Sequence, residues 1–266
     1  MNFMPSLFHR RALAALAMAF ATLCAQAAEV RVITSGAFTE AYKKLVPLFE
    51  AASGHQVISA YGASIGNAPD SIPSRLARGE TFDLVILSEG GLEALNKAGK
   101  LVPNSRVDLA KSQIGAAVRK GTPRPDISTV DKLRQALLNA KSIAYSASAS
   151  GTYLSNELFP KLGVADQMKV TAKRIMSERV GAVVARGDAE LGFQQVSELI
   201  YFRELDFIGT LPDEVQQTIF FSSALVNGSS EDSRAAARQL VRFFTSPAVA
   251  EIVRATGLDP ATRTSP

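Results

Sequence analysis

Cysteine is almost missing from this chain. Cys24 is the only one in 266 residues, and it falls in an N-terminal segment that reads as a cleaved leader, so the mature chain is expected to have neither disulfides nor thiol chemistry. Excess charge is missing too. Lys and Arg number 29 against 25 acidic residues, a formal net charge of +4. Loss of Arg10 and Arg11 with the leader leaves about +2, too little to argue for a nucleic-acid or membrane-surface partner. After the N-terminus no apolar run approaches the roughly 20 residues that a transmembrane helix needs, so no membrane insertion is expected. Heptads, fixed-period repeats and low-complexity tracts are absent. So are metal-ligand spacings, a nucleophile elbow and a phosphate-loop glycine pattern, and neither metal nor cofactor is expected.

What is present begins with the leader. His9, Arg10 and Arg11 precede an apolar run over 12–24, and Ala25-Gln26-Ala27 forms a small-x-small cleavage site, the pattern of a secretory signal. The mature chain then starts at Ala28 and is exported. Leu23 stands before Cys24, where a lipoprotein signal would place a small residue, so no lipid anchor is read. A mature length of roughly 240 residues allows one large domain or two lobes.

Strand-like and helix-like segments alternate along the mature chain. Strands are read over 30–33, 57–61, 83–87 and 114–118, then over 143–145, 169–172, 190–194 and 218–226. Helices are read after the first strand, with Phe38, Tyr42, Leu45, Val46 and Phe49 on one face and Pro47 as a kink, and over 70–78, 128–140, 152–162, 178–186, 232–244 and 247–256. This alternation predicts an α/β fold with mostly parallel sheets. Two βα series bounded by crossing strands predict a leader over 1–27, a first lobe from 28–112 with 218–266, and a second lobe over 113–217.

In open α/β sheets, ligands bind beyond the carboxyl ends of the strands. Three such ends carry small polar residues: Ser35-Gly36, Gly62-Ala63-Ser64, and the turn Ser146-Ala147-Ser148-Ala149-Ser150-Gly151. In the last, the predicted helix follows directly, so its free N–H groups and short hydroxyls could hold an anion, with Gly151 letting backbone approach a ligand. The simpler reading makes Ser150 an N-cap and the remaining serines loop filler. Three polar turns at one topological position favour a small anionic ligand held by neutral dipoles in a cleft.

Several stretches resemble the periplasmic molybdate-binding proteins of ABC importers: Ser35-Gly36 ending the first strand, Leu45-Val46-Pro47-Leu48-Phe49-Glu50 followed by Ser53-Gly54, and the run 78–86, RGETFDLVI. The resemblance covers nearly the whole mature chain. It implies the two-lobed class II binding-protein fold with two hinge strands, a monomer, and a membrane ABC permease as partner. It carries anion contacts to Ser35, Ser64, the Ser150-Gly151 turn and Val180, and Ser148 joins them as a candidate from the same polar turn. Ser71 rivals Ser64, because residues 65–70 intervene before the next helix. Gln195 stands where the family has a contact tyrosine, and Arg179 lies beside a contact position. A guanidinium pairs bidentately with carboxylates, which points toward an organic di- or tricarboxylate rather than molybdate. The same branch resembles one that includes a bacterial aconitate isomerase, so the first reading is a periplasmic import receptor for such a carboxylate, with a cofactor-free aconitate isomerase on the same fold as the alternative and molybdate or tungstate binding after it.

An isomerase would need a positioned base. His55 is read as an exposed structural histidine away from the cleft. Glu40, Asp70, Glu89 and Glu178 could approach it, though each also reads as a first-turn helix acid, and Asp70 as the N-cap of the helix that follows. Arg75 and Arg78 could clamp carboxylates but equally suit a solvated helix face. Tyr61, Tyr145 and Tyr153 stand near strand ends or the anion turn. The catalytic base is left unassigned.

Overall fold

The structure, a computed structural model, describes residues 27–261. The predicted leader lies outside these residues except for Ala27, and Cys24 lies outside them too. The first part of the chain runs β1 (Glu29–Ser35), α1 (Gly36–Ser53), β2 (Gln56–Gly62), α2 (Ile72–Ala77), β3 (Leu84–Ser88), α3 (Glu89–Lys97) and β4 (Val107–Ser112). A second series follows: β5 (Ile114–Arg119), α4 (Val130–Asn139), β6 (Ile143–Ser146), α5 (Ala149–Tyr153), α6 (Phe159–Lys161), α7 (Ala165–Thr171), β7 (Ala172–Ile175), α8 (Val180–Arg186), β8 (Leu191–Gln195), α9 (Val196–Leu199) and β9 (Leu205–Thr210). The chain ends with β10 (Ile219–Leu225), α10 (Glu231–Phe244), α11 (Ala250–Arg254) and β11 (Asp259–Pro260).

These strands form two sheets, one of six strands in the order β11-β4-β10-β3-β1-β2 and one of five in the order β7-β6-β8-β5-β9. Parallel pairing holds inside the βα units, β1 with β2 and β3, and β6 with β7 and β8. The strands that carry the chain between lobes pair antiparallel instead: β10 with β3 and β4, and β5 with β8 and β9. The expectation of mostly parallel sheets thus gives way wherever a strand enters from the other series.

Helix α1 buries Phe38, Tyr42, Leu45, Val46 and Phe49, the face that its spacing predicts, against β1, β3 and α10. The helix runs through Pro47 and stops where Gly54, at φ 74°, donates its N–H to the Glu50 carbonyl at 2.9 Å, a left-handed C-cap natural to glycine. His55 corrects the expectation of exposure. It is buried, stacked on Phe49, with Nδ1 accepting the Ala28 N–H at 3.1 Å and Nε2 3.3 Å from Gln239 Oε1.

Other predicted elements shift. Residues 169–171 are helical, and the strand begins at Ala172. The seven-residue α7, about two turns long, packs Met168 into the core there. The helix expected from residue 152 starts at Ala149, passes through a π-helical turn at Leu154–Leu158 and continues into α6. Ser71, not Asp70, caps α2, accepting the Ser74 N–H at 3.3 Å.

The chain passes between the sheets twice, through Gln113 and over residues 211–218. Gln216 braces the two passages. Its Oε1 accepts the Ile114 N–H and its Nε2 donates to the Ile114 carbonyl, both at 2.9 Å, so a side chain completes the pairing that a neighbouring strand would supply. Replacing Gln216 with Leu strands a fully buried N–H and should lower unfolding free energy by about 1–3 kcal/mol, measured as a lower urea midpoint.

Candidate functional site

A cavity of about 290 Å³ lies between the sheets and is lined from both sides. From the first come Ser35 and Gly36, where β1 turns into α1, and Ser64 after β2. From the second come Ser146, Ser148 and Ser150 after β6, Arg179 ahead of α8, and Gln194, Gln195 and Glu198 where β8 turns into α9. Each group stands at the carboxyl end of a strand, because parallel βα units place their polar turns at the same edge.

The predicted residues meet different fates. Ser35 is the N-cap residue of α1 yet makes no cap bond. Its hydroxyl is buried without a partner among the described residues. Ser64 accepts the Ser88 N–H at 2.9 Å, which leaves its O–H free to donate. Ser148 caps α5 without a side-chain bond, while Ser150, read as the cap, sits in the first turn with Oγ 3.3 Å from Ser146 Oγ. Gly151 serves packing rather than ligand approach, since a β-carbon there would run into the Ser146 carbonyl. Ser71 is fully buried and spent on its own turn, donating to the Gly66 carbonyl at 3.0 Å. Val180 is buried with its N–H already donated to Gln194 Oε1 at 3.0 Å.

Charged candidates are mostly committed elsewhere. Arg179 pairs across the cavity with Glu40 of α1, Nη2 to Oε1 at 3.0 Å. Glu178 lines the cavity, but Arg186 grips it at 2.8 and 3.1 Å and holds its carboxyl below the usual range. Glu89 pairs with Arg106 at 3.4 Å. Arg75 and Arg78 both bind Glu80 at the surface. Asp70 and Tyr61 do line the cavity. Tyr145 packs on Phe159, and Tyr153 donates to the Val215 carbonyl at 2.8 Å.

Gln195, 2% exposed, has no partner for either Oε1 or Nε2 among the described residues. Native interiors leave few polar atoms in that state. The residue that sequence reasoning missed is Glu198. Gln194 Nε2 donates to its Oε1 at 2.9 Å, and the carboxyl lies where a β-carbon on Gly36 would stand. Burial pushes Glu198 up to about 7, with nearby Arg179 pulling the other way. One signal was available: Glu198 is the only charge in the stretch 191–202, LGFQQVSELIYF.

Residues 30–259 match the family described as bacterial extracellular solute-binding protein. The chain is 42% identical over 229 residues to an aconitate isomerase of a Pseudomonas species, covering 86% of this chain and 87% of that protein. It is 26% identical over 259 residues to the molybdate-binding protein ModA of Azotobacter vinelandii, covering 93% and 96%. Among solved structures, the sulfate-binding protein SubI of Mycobacterium tuberculosis superposes with TM-score 0.70 at 22% identity, covering 88% of this chain and 87% of that one. The periplasmic molybdate-binding protein of Azotobacter vinelandii gives 0.68 at 21%, covering 86% and 98%. The chain therefore belongs to the bacterial extracellular solute-binding protein family and has its two-lobed fold.

Glu198 makes stability depend on pH. Its folded pKa lies above its unfolded value, so between about pH 4.5 and 7 the folded chain holds a proton that the unfolded chain releases, and stability falls as pH rises through that window. Glu198→Gln removes this fall. Relative to wild type, the variant should gain about 2–3 kcal/mol between pH 5 and pH 8, read from urea midpoints at the two pH values.

Proposed function

We propose that this family member is an isomerase that interconverts cis- and trans-aconitate by proton transfer in the interlobe cavity. The observation that carries this reading is Glu198, a buried carboxyl poised near neutrality in a cavity lined by hydroxyls and cations. The 42% identity to an aconitate isomerase points the same way.

The chemistry asks for one group that both takes and returns a proton. Aconitate carries a terminal methylene beside a double bond, with a carboxyl at each end of the three-carbon unit. Ionised Glu198 takes a methylene proton, and the C–H electron pair enters the allyl system and the terminal carboxyls. The proton then returns to the other terminal carbon. The double bond has moved one position, Glu198 is a carboxylate again, and nothing is oxidised or reduced. A pKa near 7 suits both halves of this exchange.

The remaining roles follow from charge and donor count. Arg179 and Lys43 face carboxylates, and the hydroxyls of Ser35, Ser64, Ser148 and Ser150 supply donors. Molybdate fits less well. The Val180 N–H that the family resemblance offers to an oxyanion is occupied by Gln194, and the Gln195 amide oxygen would oppose an anion's lone pairs. We assign the leader to 1–27 with periplasmic export, and the lobes to 28–112 with 218–266 and to 113–217. Family membership itself favours a second reading: an import receptor that closes on the same tricarboxylate and docks on an ABC permease.

Mixing purified protein with cis-aconitate and following the vinyl proton by NMR should show conversion to trans-aconitate. Glu198→Gln should slow it roughly 10²–10⁴-fold. Unchanged substrate at high protein concentration, with aconitate still bound, would leave the receptor reading standing. A thermal-shift panel of molybdate, tungstate, sulfate and tricarboxylates should show stabilisation by tricarboxylates. Stabilisation by the metal oxyanions alone would overturn the carboxylate assignment.

A further inference from the structure

Gln195 poses a chemical question that the base does not answer. Its amide is buried at the end of β8 facing the cavity, and both of its polar atoms lack partners among the described residues. Exchanging the amide O and N leaves the demand unchanged: one donor and one acceptor, side by side in a plane. A fully ionised oxyanion or carboxylate satisfies only the donor. A carboxylic acid satisfies both.

We propose that Gln195 receives one terminal carboxyl of the substrate in its protonated form, donating from Nε2 to the carbonyl oxygen and accepting the acid O–H at Oε1. The proposal rests on the tricarboxylate reading above and adds the protonation state in which the substrate is held. It also supplies what the proton transfer needs. Removing a proton beside an ionised carboxylate piles a second negative charge onto it, whereas a carboxyl that keeps its proton takes up the C–H electron pair with one charge fewer. Gln195 would thus select the acid form on binding and stabilise the charge that develops at that oxygen.

Six titratable or charged groups line the same cavity: Lys43 from α1, Tyr61 from β2, Asp70 ahead of α2, Glu178 and Arg179 ahead of α8, and Glu198 on α9. Glu40 faces them through its ion pair with Arg179. Among these Glu198 is the group pushed up toward neutrality, and it would itself take up a proton when an anion binds nearby. The test therefore begins by removing it.

The probe is propane-1,2,3-tricarboxylate, the saturated analogue that cannot isomerise. Titrating it into the Glu198→Gln variant at pH 8 by calorimetry, in two buffers of different ionisation enthalpy, should reveal uptake of about one proton per ligand. Adding Gln195→Met should abolish that uptake. With the probe carrying 13C in its carboxyls, one bound carboxyl carbon should resonate at the protonated position in wild type, a readout that needs no variant to fold. Binding with no proton uptake, and all carboxyl carbons at the ionised position, overturns the proposal while leaving aconitate isomerisation untouched. Absence of binding to wild type overturns it together with the tricarboxylate reading on which it rests.

Discussion

Burying a carboxyl between two lobes is the constraint around which this cleft is arranged. Glu198 sits at the turn from β8 into α9, and its oxygens fit only because Gly36 offers no β-carbon at the start of α1. Taking that group out of water disfavours its charged form. The protein answers with one amide donor from Gln194 and the field of Arg179, not with a direct ion pair. Arg179 instead spends its contact on Glu40. The carboxyl therefore stays near the middle of its titration, where it can exchange a proton in either direction.

The same economy runs through the neighbouring groups. Gln194 links two backbone and side-chain demands, the Val180 N–H and the Glu198 carboxyl, so its orientation is fixed from both ends. Gln195 and Ser35 have no side-chain partners among the described residues. Such atoms lower stability, and these two both line the cavity, which suits the proposed reading that their polar complement arrives with a ligand. Arg75 and Arg78 are committed to Glu80 outside the lining, while Arg186 holds Glu178, one of the acids that line the cavity.

Much of the fold was legible because alternation of strands and helices survives in composition. The face of α1 could be read residue by residue from Phe38 to Phe49. The polar strand ends at Ser35, Ser64 and Ser148–Ser150 could be read from topology alone. Elsewhere local pattern misled. Residues 169–171 carry strand-like side chains yet close a short helix. Asp70 had the chemistry of a cap but Ser71 took the position. His55 looked solvent-facing because its partners, Ala28 and Gln239, are distant in sequence. Glu198 left only the trace of a lone charge in an apolar stretch, because part of its environment is made by Gly36, 162 positions earlier in the chain. Burial and partner geometry are long-range quantities, and motif spacing does not encode them.

Strand β10 lies between β3 and β4 in the six-stranded sheet, although more than 100 residues of chain separate it from β4. The five-stranded sheet, by contrast, is drawn from one continuous stretch between β5 and β9. Contacts that close long loops form late. A chain emerging N-terminus first can thus complete its second lobe while the first still lacks a central strand, with β3 and β4 exposed along unpaired edges. The order of folding is written into the order of strands: the half that begins the sequence is the half that finishes last, and the cleft cannot exist until nearly all of the polypeptide is available to fold.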